Sequence, residues 1–349
     1  MKNKERLMKT EETATNRRKQ DHLEACLNDG VDLGRDSFGS LKLRYNALPG
    51  LALEEVSTET RFAGKIISAP LIISGMTGGV GPEFIRINRN LARGAQQLGI
   101  PFGLGSMKVL LAQPEALESF DMRAYAPDVP IIANLGLVSF NYGLGLADVK
   151  DLIRDLQPDA FGFHLNALQE VAMDEGDTDF RGLAERLTAL KSQLDLPLYL
   201  KECGGGIAPE QVRIISQAGA DYIDVSGNDG TSWAAVEARR SSNPALGELF
   251  SDFGLPTTWI LKNLSPDQVG KSQIVAGGGI RDGIQAAKAL ALGARFVSVA
   301  RPFLIAATES EAAVVACGER LIRELRTAMF LTGSASLADL NRDLFIEGV

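Results

Sequence analysis

Four polar side chains with catalytic potential lie within seven residues of this chain. They are His164, Asn166, Gln169 and Glu170. His164 directly follows the apolar run 160–163, and the other three lie within the next six residues. A short apolar run predicts a buried strand, and in barrels of parallel strands ligands bind where the strands end. The stretch therefore predicts a ligand site. In isolation, the same side chains could also form a hydrogen-bonded loop cap.

A second stretch has the composition of a phosphate site. The glycine run 277–279 precedes Arg281 and a helix that we expect to begin near Gly283. Bare backbone amides at a helix N-terminus favour phosphate binding, and a guanidinium strengthens it. Ala300 and Arg301, which follow the next apolar run, would close the other side of the site. In isolation, the glycine run could also be an ordinary strand-to-helix turn.

The two stretches need structural elements that place them side by side. Short apolar runs alternate with helical stretches from residue 70 onward. Strands that alternate with helices pair in parallel, and eight such units match a (β/α)8 barrel, an α/β fold. We therefore predict a single-domain TIM barrel over residues 21–349, with a flexible N-terminal arm over residues 1–20. The predicted strands are 71–74, 102–104, 131–134, 160–164, 198–201, 222–225, 274–276 and 296–299.

The composition of the 349-residue chain excludes several classes of function. Its formal net charge is −8 and its pI is about 5.1, which is unlike the basic character of nucleic-acid-binding proteins. Its three cysteines are far apart and have no metal-ligand spacing, which argues against disulfides and a zinc site. The sequence has neither a signal-peptide pattern nor an apolar run as long as a membrane span. We expect a soluble, cytoplasmic protein that contacts neither nucleic acid nor membrane.

The polar groups and glycines after the predicted strands fit flavin mononucleotide (FMN). Its phosphate would lie between the last two strands, and its ring would lie over the mouth of the barrel. Lys201, at the end of the fifth predicted strand, could neutralise charge near N1 and the C2 carbonyl of a reduced flavin. The predicted FMN-binding residues are Met76, Thr77, Gly78, Ser106, Asn134, Lys201, Ser226, Thr231, Gly278, Gly279, Arg281, Ala300 and Arg301.

Taken together, the motifs of this chain resemble those of the type 2 isopentenyl-diphosphate isomerase family. The match extends from about residue 17 to residues 329–333, and its specificity lies in the order of the motifs. These motifs are Arg18-Lys19, Asp21-His22-Leu23, Met76-Thr77-Gly78-Gly79, Gly105-Ser106, residues 164–170, Lys201-Glu202, Gly230-Thr231-Ser232-Trp233 and Gly278-Gly279-Ile280-Arg281.

The resemblance implies a flavin-dependent barrel enzyme that interconverts isopentenyl and dimethylallyl diphosphate. Substrate and product of this 1,3-allylic proton shift have the same oxidation state, so the flavin must end as it began. The resemblance implies reduced FMN as acid and base, Mg²⁺ on the diphosphate, and NADPH as the reductant of the flavin. It also implies a small-molecule substrate and a homo-oligomer, either a tetramer or an octamer.

The same resemblance implies roles for individual residues. Gln169 lies near the reacting carbons, and Lys201 and His164 complete the implied catalytic set. Glu170 is the implied Mg²⁺ ligand, because magnesium is usually held by a carboxylate together with substrate phosphate oxygens and waters. The implied substrate-binding residues, which include the end of the N-terminal arm, are Arg18, Lys19, Ser106, Met107, Lys108, His164, Asn166 and Gln169.

Several residues depart from the family pattern. Lys108 stands where an arginine is commoner, and this exchange keeps the charge but loses bidentate geometry. Met107 occupies a position often held by glutamine. Asp229 replaces a glycine, Gly277 replaces a serine, and Gly50 stands where an acidic residue is usual.

Two alternative functions remain open at this point. An FMN-dependent hydroxy-acid oxidase or dehydrogenase shares the barrel and the strand-end lysine. That chemistry normally uses a catalytic histidine and arginines for the substrate carboxylate, and the chain has only His22 and His164. A degenerate flavoprotein would bind diphosphates without turnover, and Lys108, Asp229 and Gly50 are the departures that allow it.

Overall fold

The computed structural model describes residues 17–346. Residues 1–16, which are most of the predicted arm, and residues 347–349 lie outside the described residues. Residues 17–27 are helical and form α1, so the predicted boundary at residue 20 falls inside a helix. Leu23 and Cys26 of α1 are buried in the main core, which anchors this helix to the rest of the protein.

The predicted strands are all present, and each coincides with an observed strand to within two residues. Two further strands precede them in the chain. Within residues 17–346 the strands are β1 (Thr60–Phe62), β2 (Lys65–Ile67), β3 (Leu71–Ile73), β4 (Phe102–Gly103), β5 (Ile131–Gly136), β6 (Ala160–Leu165), β7 (Leu198–Glu202), β8 (Tyr222–Asp224), β9 (Gln273–Ala276) and β10 (Phe296–Val299).

Strands β3 to β10 form a closed parallel barrel. The ring closes where β10 pairs with β3, with Val297 opposite Leu71 and Val299 opposite Ile73. Every residue of β3, β5 and β10 is buried, as expected for strands covered by side chains inside the barrel and by helices outside it. The prediction of a (β/α)8 barrel is confirmed.

Helices surround the barrel, and within residues 17–346 none is both long enough and apolar enough to cross a membrane. The α-helices after α1 are α2 (Pro82–Leu98), α3 (Leu146–Leu156), α4 (Ala167–Ala172), α5 (Leu183–Lys191), α6 (Pro209–Gln217), α7 (Trp233–Ala238), α8 (Pro244–Leu249), α9 (Thr257–Asn263), α10 (Pro266–Val269), α11 (Gly283–Ala291), α12 (Arg301–Glu309) and α13 (Glu311–Thr332). Short 3-10 helices cover Asp29–Val31, Leu53–Glu55, Met107–Leu111, Pro114–Ser119, Leu137–Tyr142, Leu337–Asp339 and Arg342–Leu344.

One crossover departs from the expected alternation of strands and helices. Between β4 and β5 the chain forms the 3-10 segments Met107–Leu111 and Pro114–Ser119 instead of an α-helix. Pro114 begins the second segment, and proline cannot occupy the interior of an α-helix without loss of a hydrogen bond. The crossover after β4 therefore contains two short 3-10 segments and not one continuous helix.

The antiparallel hairpin β1–β2 was not predicted, and it seals one end of the barrel. The Phe62 ring is fully buried, stacks on Tyr222 at 4.3 Å and meets Phe296 edge-on at 5.3 Å. Tyr222 and Phe296 are the first residues of β8 and β10, so the hairpin covers the amino-terminal ends of the strands. The Ala63 amide donates to the Tyr222 hydroxyl at 2.8 Å and fixes the turn. Only the opposite, carboxyl end remains for ligands.

We expect Phe62→Ala to lower the free energy of unfolding by about 3–5 kcal/mol, because the substitution leaves a cavity among closely packed rings. Urea denaturation followed by circular dichroism measures the change. Ile66→Ala on the same hairpin is the matched control, because Ile66 is 58% exposed and should cost less than about 0.5 kcal/mol. Equal losses of unfolding free energy in the two variants would show that packing of the Phe62 ring does not stabilise the barrel.

Candidate active site

A cavity of about 480 Å³ opens at the carboxyl ends of the barrel strands. All but one of the residues predicted for the site line its wall. The exception is Met107, whose side chain is fully buried in the hydrophobic core. The 3-10 helix that begins at Met107 turns this side chain inward, away from the cavity wall; the role of Met107 in substrate binding stays a prediction. The next side chain, Lys108, does line the cavity.

Strand β6 and helix α4 position the side chains of His164, Asn166, Gln169 and Glu170. His164 lies near the end of β6, and Asn166 is the residue that precedes α4. The Asn166 amide nitrogen donates to Gln169 Oε1 at 3.2 Å and to Glu170 Oε1 at 2.7 Å. Asn166 Oδ1 is buried without a hydrogen-bond partner within residues 17–346. The cluster thus presents an unused amide oxygen beside a carboxylate.

Glu170 and Asn166 fit a magnesium ion by the chemistry of their donors. Mg²⁺ prefers oxygen ligands and is commonly bound by one or two carboxylates, waters and substrate phosphates. Burial raises the pKa of Glu170, although hydrogen bonds from the Asp177 amide and from Asn166 oppose this. Within residues 17–346, no group of three or more His, Cys, Asp or Glu side chains is placed to hold a metal. A magnesium here would therefore depend on oxygens of the ligand.

Three cations from different parts of the chain line the cavity near this cluster. Arg18 and Lys19 come from α1, and Lys108 comes from the segment after β4. Lys19 Nζ donates to the Ser106 carbonyl oxygen at 2.9 Å. Burial, reinforced by the neighbouring Arg18, lowers the pKa of Lys19 to about 7. A buried lysine with this pKa gains its charge readily when an anion binds.

His164 is neutral at physiological pH. Burial, with the positive charges of Lys201, Lys19 and Lys108, lowers the pKa of His164 to about 3. Its Nδ1 lies 3.0 Å from Asn134 Oδ1, an acceptor that favours the tautomer with the proton on Nδ1. The surrounding lysines therefore carry the positive charge of this wall, and the imidazole contributes a neutral polar group.

Lys201 brings a positive charge to the floor of the cavity from β7. Burial opposes this charge, but Cys203, Asp224 and Glu202 outweigh burial and raise the pKa of Lys201. Its Nζ donates to the Glu202 carbonyl oxygen at 3.3 Å. The raised pKa favours a positive charge on Lys201 at the position where the sequence predicts a charge for a reduced flavin.

The carboxylate of Asp224 organises the barrel interior next to Lys201. It is fully buried and accepts 2.7 Å hydrogen bonds from the hydroxyls of Tyr199, Ser226 and Ser298. Ser226 and Ser298 both line the cavity. Asp224 thus fixes two hydroxyls of the floor. No sequence motif singled it out, because its importance arises from partners on β7, on β10 and just past the end of its own strand β8.

The loops after β9 and β10 line the cavity where the sequence predicts a phosphate site. Gly278 and Gly279 have φ values of +81° and +82°, a conformation that favours glycine, and a Cβ at Gly278 would overlap the Gly227 backbone. Thr231 and Arg301 line the same part of the cavity, and α12 begins at Arg301. A bare backbone at a helix N-terminus, with a cation alongside, fits the phosphate of FMN.

The guanidinium of Arg281, which the sequence predicts at the phosphate site, forms hydrogen bonds to several protein acceptors. It donates to Asp32 Oδ1 at 2.6 Å and to the Asp229 carbonyl oxygen at 2.7 Å. It also donates to the carbonyl oxygens of Arg35 and Gly279, each at 3.0 Å. Although Arg281 lines the cavity, these bonds tie the glycine loop to neighbouring segments, and they commit the guanidinium to protein acceptors.

Glu237 is a candidate functional residue that the sequence analysis missed. It is fully buried on α7, and its Oε1 accepts a hydrogen bond from the Gln169 amide nitrogen at 2.8 Å. The same oxygen lies 2.8 Å from His22 Nε2, and Oε2 accepts from Arg240 at 3.0 Å. Burial opposes its charge, but His22, Gln169 and Arg240 together lower the pKa of Glu237. A lone acidic residue in the apolar helix α7 was the available signal.

The departures from the family pattern leave the cavity chemistry in place. Asp229 does not line the cavity, and its carboxylate accepts hydrogen bonds from Ser37 and from the Thr257 amide. It therefore holds together the chain segments around the glycine loop. At Gly277 a Cβ would overlap the hydroxyl of Ser226, so a glycine here leaves room for the hydroxyl that donates to Asp224. Gly50 is exposed and lies outside the cavity wall.

Solved structures of similar fold are flavoproteins. A mandelate oxidase solved with a monooxide FMN adduct is 22% identical, with a TM-score of 0.62 over 91% of this chain and 90% of that chain. A flavocytochrome b2 solved with pyruvate is 19% identical, with a TM-score of 0.68 over 94% of this chain and 83% of that chain. At these identities the likeness establishes the fold alone.

Similarity in sequence is much higher to a group of isomerases. The chain is 43% identical to the isopentenyl-diphosphate delta-isomerase of Paracoccus zeaxanthinifaciens, over 93% of this chain and 94% of the relative. It is 42% identical to the enzyme of that name from a Synechococcus species, over 95% and 96% of the two chains. Residues 164–347 also match the family model of FMN-dependent dehydrogenases. The chain therefore belongs to the isopentenyl-diphosphate delta-isomerase family, and through residues 164–347 to the broader FMN-dependent dehydrogenase family.

Proposed function

We propose that this protein is an FMN-dependent isomerase that interconverts isopentenyl diphosphate and dimethylallyl diphosphate, with Mg²⁺ on the diphosphate and NADPH as the reductant of the flavin. The observation that carries the proposal is that one cavity joins two anion-binding regions. The glycine cradle at Gly278 suits a flavin phosphate. The cluster of Glu170, Lys19 and Lys108 suits a metal-bound diphosphate. Membership of the isomerase family supports this assignment.

The diphosphate end of the site would be held by Arg18, Lys19, Ser106, Lys108 and the polar groups of β6 and α4. Glu170 would ligate Mg²⁺ directly. The unpartnered Asn166 Oδ1 would accept a hydrogen bond from a metal-bound water. Lys19 would gain its full charge as the diphosphate arrives, because an anion next to a lysine favours the protonated form. This end of the site fixes the substrate and leaves its hydrocarbon part toward the cavity floor.

Gln169 and Glu237 would act at the reacting end. The hydrogen bond from Gln169 to Glu237 turns the amide nitrogen of Gln169 away from Asn166 and fixes the rotamer of its amide. Glu237 is in turn held by His22 and Arg240. A fixed amide next to the allyl unit would orient the substrate for proton transfer, and positioning of this kind accounts for much of enzymatic rate enhancement. Bound, reduced FMN supplies the acid–base chemistry of the proton shift.

Helix α1 would help to exclude water from the reaction. Arg18 of this helix lies 3.7 Å from Glu175, and Glu175 accepts a hydrogen bond from Arg240 at 3.0 Å. These contacts attach α1 to the segment that follows α4, beside the cavity that α1 helps to line. An allylic centre with positive character reacts with water unless water is kept out.

Cytoplasmic location and assembly into a tetramer or octamer remain predictions from the sequence.

The proposed activity predicts turnover without net redox change. Purified protein with FMN, Mg²⁺ and NADPH should convert isopentenyl diphosphate to dimethylallyl diphosphate under anaerobic conditions, and far more product than NADPH consumed should form. Product analysis with simultaneous recording of the flavin spectrum measures both quantities. Bound and reduced flavin with unchanged substrate would contradict the proposal and favour the oxidoreductase or the non-catalytic flavoprotein.

We expect Glu170→Gln to raise the Mg²⁺ concentration needed for half-maximal activity by more than about tenfold, because an amide is a weaker ligand for magnesium than a carboxylate. FMN binding, followed by quenching of flavin fluorescence, should be unchanged. Glu185→Gln on α5 is the matched control, since Glu185 is exposed and outside the cavity wall. A wild-type response to Mg²⁺ in Glu170→Gln would remove Glu170 from this role.

The lowered pKa of Lys19 predicts proton uptake on diphosphate binding. With a pKa of about 7 in the empty site, Lys19 is mostly neutral at pH 8 and becomes protonated as the anion binds, so roughly nine-tenths of a proton is taken up there. Below pH 6 the lysine is already charged and this uptake disappears. Calorimetry with inorganic pyrophosphate in two buffers of different ionisation enthalpy measures it. Lys19→Arg keeps the charge and should lose the uptake, whereas equal uptake in both proteins would refute the assignment.

A further inference from the structure

We infer that Asp177 determines the metal dependence of diphosphate binding: its carboxylate holds Lys108 in the metal-free site and so disfavours a diphosphate that arrives without Mg²⁺. The inference rests on the proposed function, because it concerns the diphosphate end of the same cavity. Neither the motifs nor the family resemblance assigned a role to Asp177.

Asp177 is the charge partner of Lys108. Its Oδ2 forms a short ion pair with Lys108 Nζ. The Asp177 side chain is 13% exposed and the Lys108 side chain is 41% exposed. Lys108 lines the cavity, whereas Asp177 is not among the lining residues. The positive charge of Lys108 is therefore already compensated before any anion enters.

Backbone contacts hold Asp177 in a fixed position beside the implied metal ligand. The Asp177 amide donates to Glu170 Oε2 at 2.7 Å. The preceding residue, Gly176, packs so closely on α4 that a Cβ there would overlap the carbonyl oxygen of Glu170. The turn at Gly176 thus fastens Asp177 to Glu170. Lys108, Asp177 and Glu170 form one connected unit of one cation and two carboxylates.

The ion pair with Asp177 disfavours the binding of a bare diphosphate. An incoming anion must compete with the Asp177 carboxylate for Lys108, the cation of this unit. Mg²⁺ bound at Glu170 would reverse the balance, because it would compensate the carboxylates and leave Lys108 able to turn to the diphosphate. Discrimination against the unwanted form of a ligand is a common basis of specificity. Asp177 would supply that discrimination by holding Lys108 when the metal is absent.

Asp177→Asn tests the inference, because it removes the charge but keeps the shape of the side chain. It also keeps the backbone N–H that donates to Glu170. The FMN-loaded enzyme is titrated with inorganic pyrophosphate by calorimetry, with and without Mg²⁺. We expect the metal-free Kd to fall by about tenfold, equivalent to about 1.4 kcal/mol, and the ratio of metal-free to metal-bound Kd to shrink correspondingly. A merely structural role for Asp177 would weaken both measurements instead.

Two further variants identify the cause of the change. Asp179→Asn is the matched control, because Asp179 lies in the same loop, pairs with the exposed Arg181 and does not line the cavity. It should behave like the wild type. In a Lys108→Met background, Asp177→Asn should have little effect on the Kd ratio, since the carboxylate would then have no lysine to hold.

The outcomes separate this inference from the proposed function. If the wild type binds pyrophosphate in a magnesium-dependent way and Asp177→Asn leaves the Kd ratio unchanged, the inference is wrong and the diphosphate site stands. If Asp177→Asn weakens binding equally with and without Mg²⁺, Asp177 is structural and the inference also fails. If the wild type does not bind pyrophosphate even with Mg²⁺, both the diphosphate site and the role of Asp177 are refuted.

Discussion

The parallel pairing of β10 with β3 is the constraint on which the site depends. It turns a row of eight strands into a ring, and residues more than two hundred positions apart in sequence, such as Met76 and Arg301, then line one cavity. The hairpin β1–β2 fills the other end of the ring with the Phe62 ring. Hydrophobic closure on one side and polar side chains on the other thus follow from the same arrangement of strands.

Charge compensation decides the properties of the polar end. Lys201 remains protonated inside the protein because Asp224 and Glu202 lie near it, and these same carboxylates are held by hydroxyl groups and backbone amides. Burial, with the positive charges of the lysines, in turn lowers the pKa of His164 and keeps its ring neutral. Each buried charge is therefore stabilised by a neighbour that has its own function in the fold, so substitutions here change several ionisation states together.

The sequence predicted the barrel well because its strands are short apolar runs buried on both faces, separated by helices. The predicted site residues other than Met107 line one cavity, and most of them do so because they follow those runs directly. The hairpin was missed, since its short strands carry the charged residues Arg61 and Lys65 and give no long apolar pattern. The burial of the Met107 side chain could not be foreseen, because the rotation of a 3-10 helix about its axis is not visible in the sequence. Glu237 depends on partners from distant segments, which only the folded chain brings together.

The sealed amino end of the barrel has a kinetic meaning. With Phe62 and its neighbours filling that end, the opening at the strand carboxyl termini is the path into the cavity, and side chains of helix α1 line the cavity wall. A flavin whose ring covers the barrel floor would be the deeper of two ligands that share this path. It would have to enter first, and it could not leave while a diphosphate was bound above it. Substrate would then lengthen the residence time of the cofactor, and flavin would dissociate most slowly during turnover.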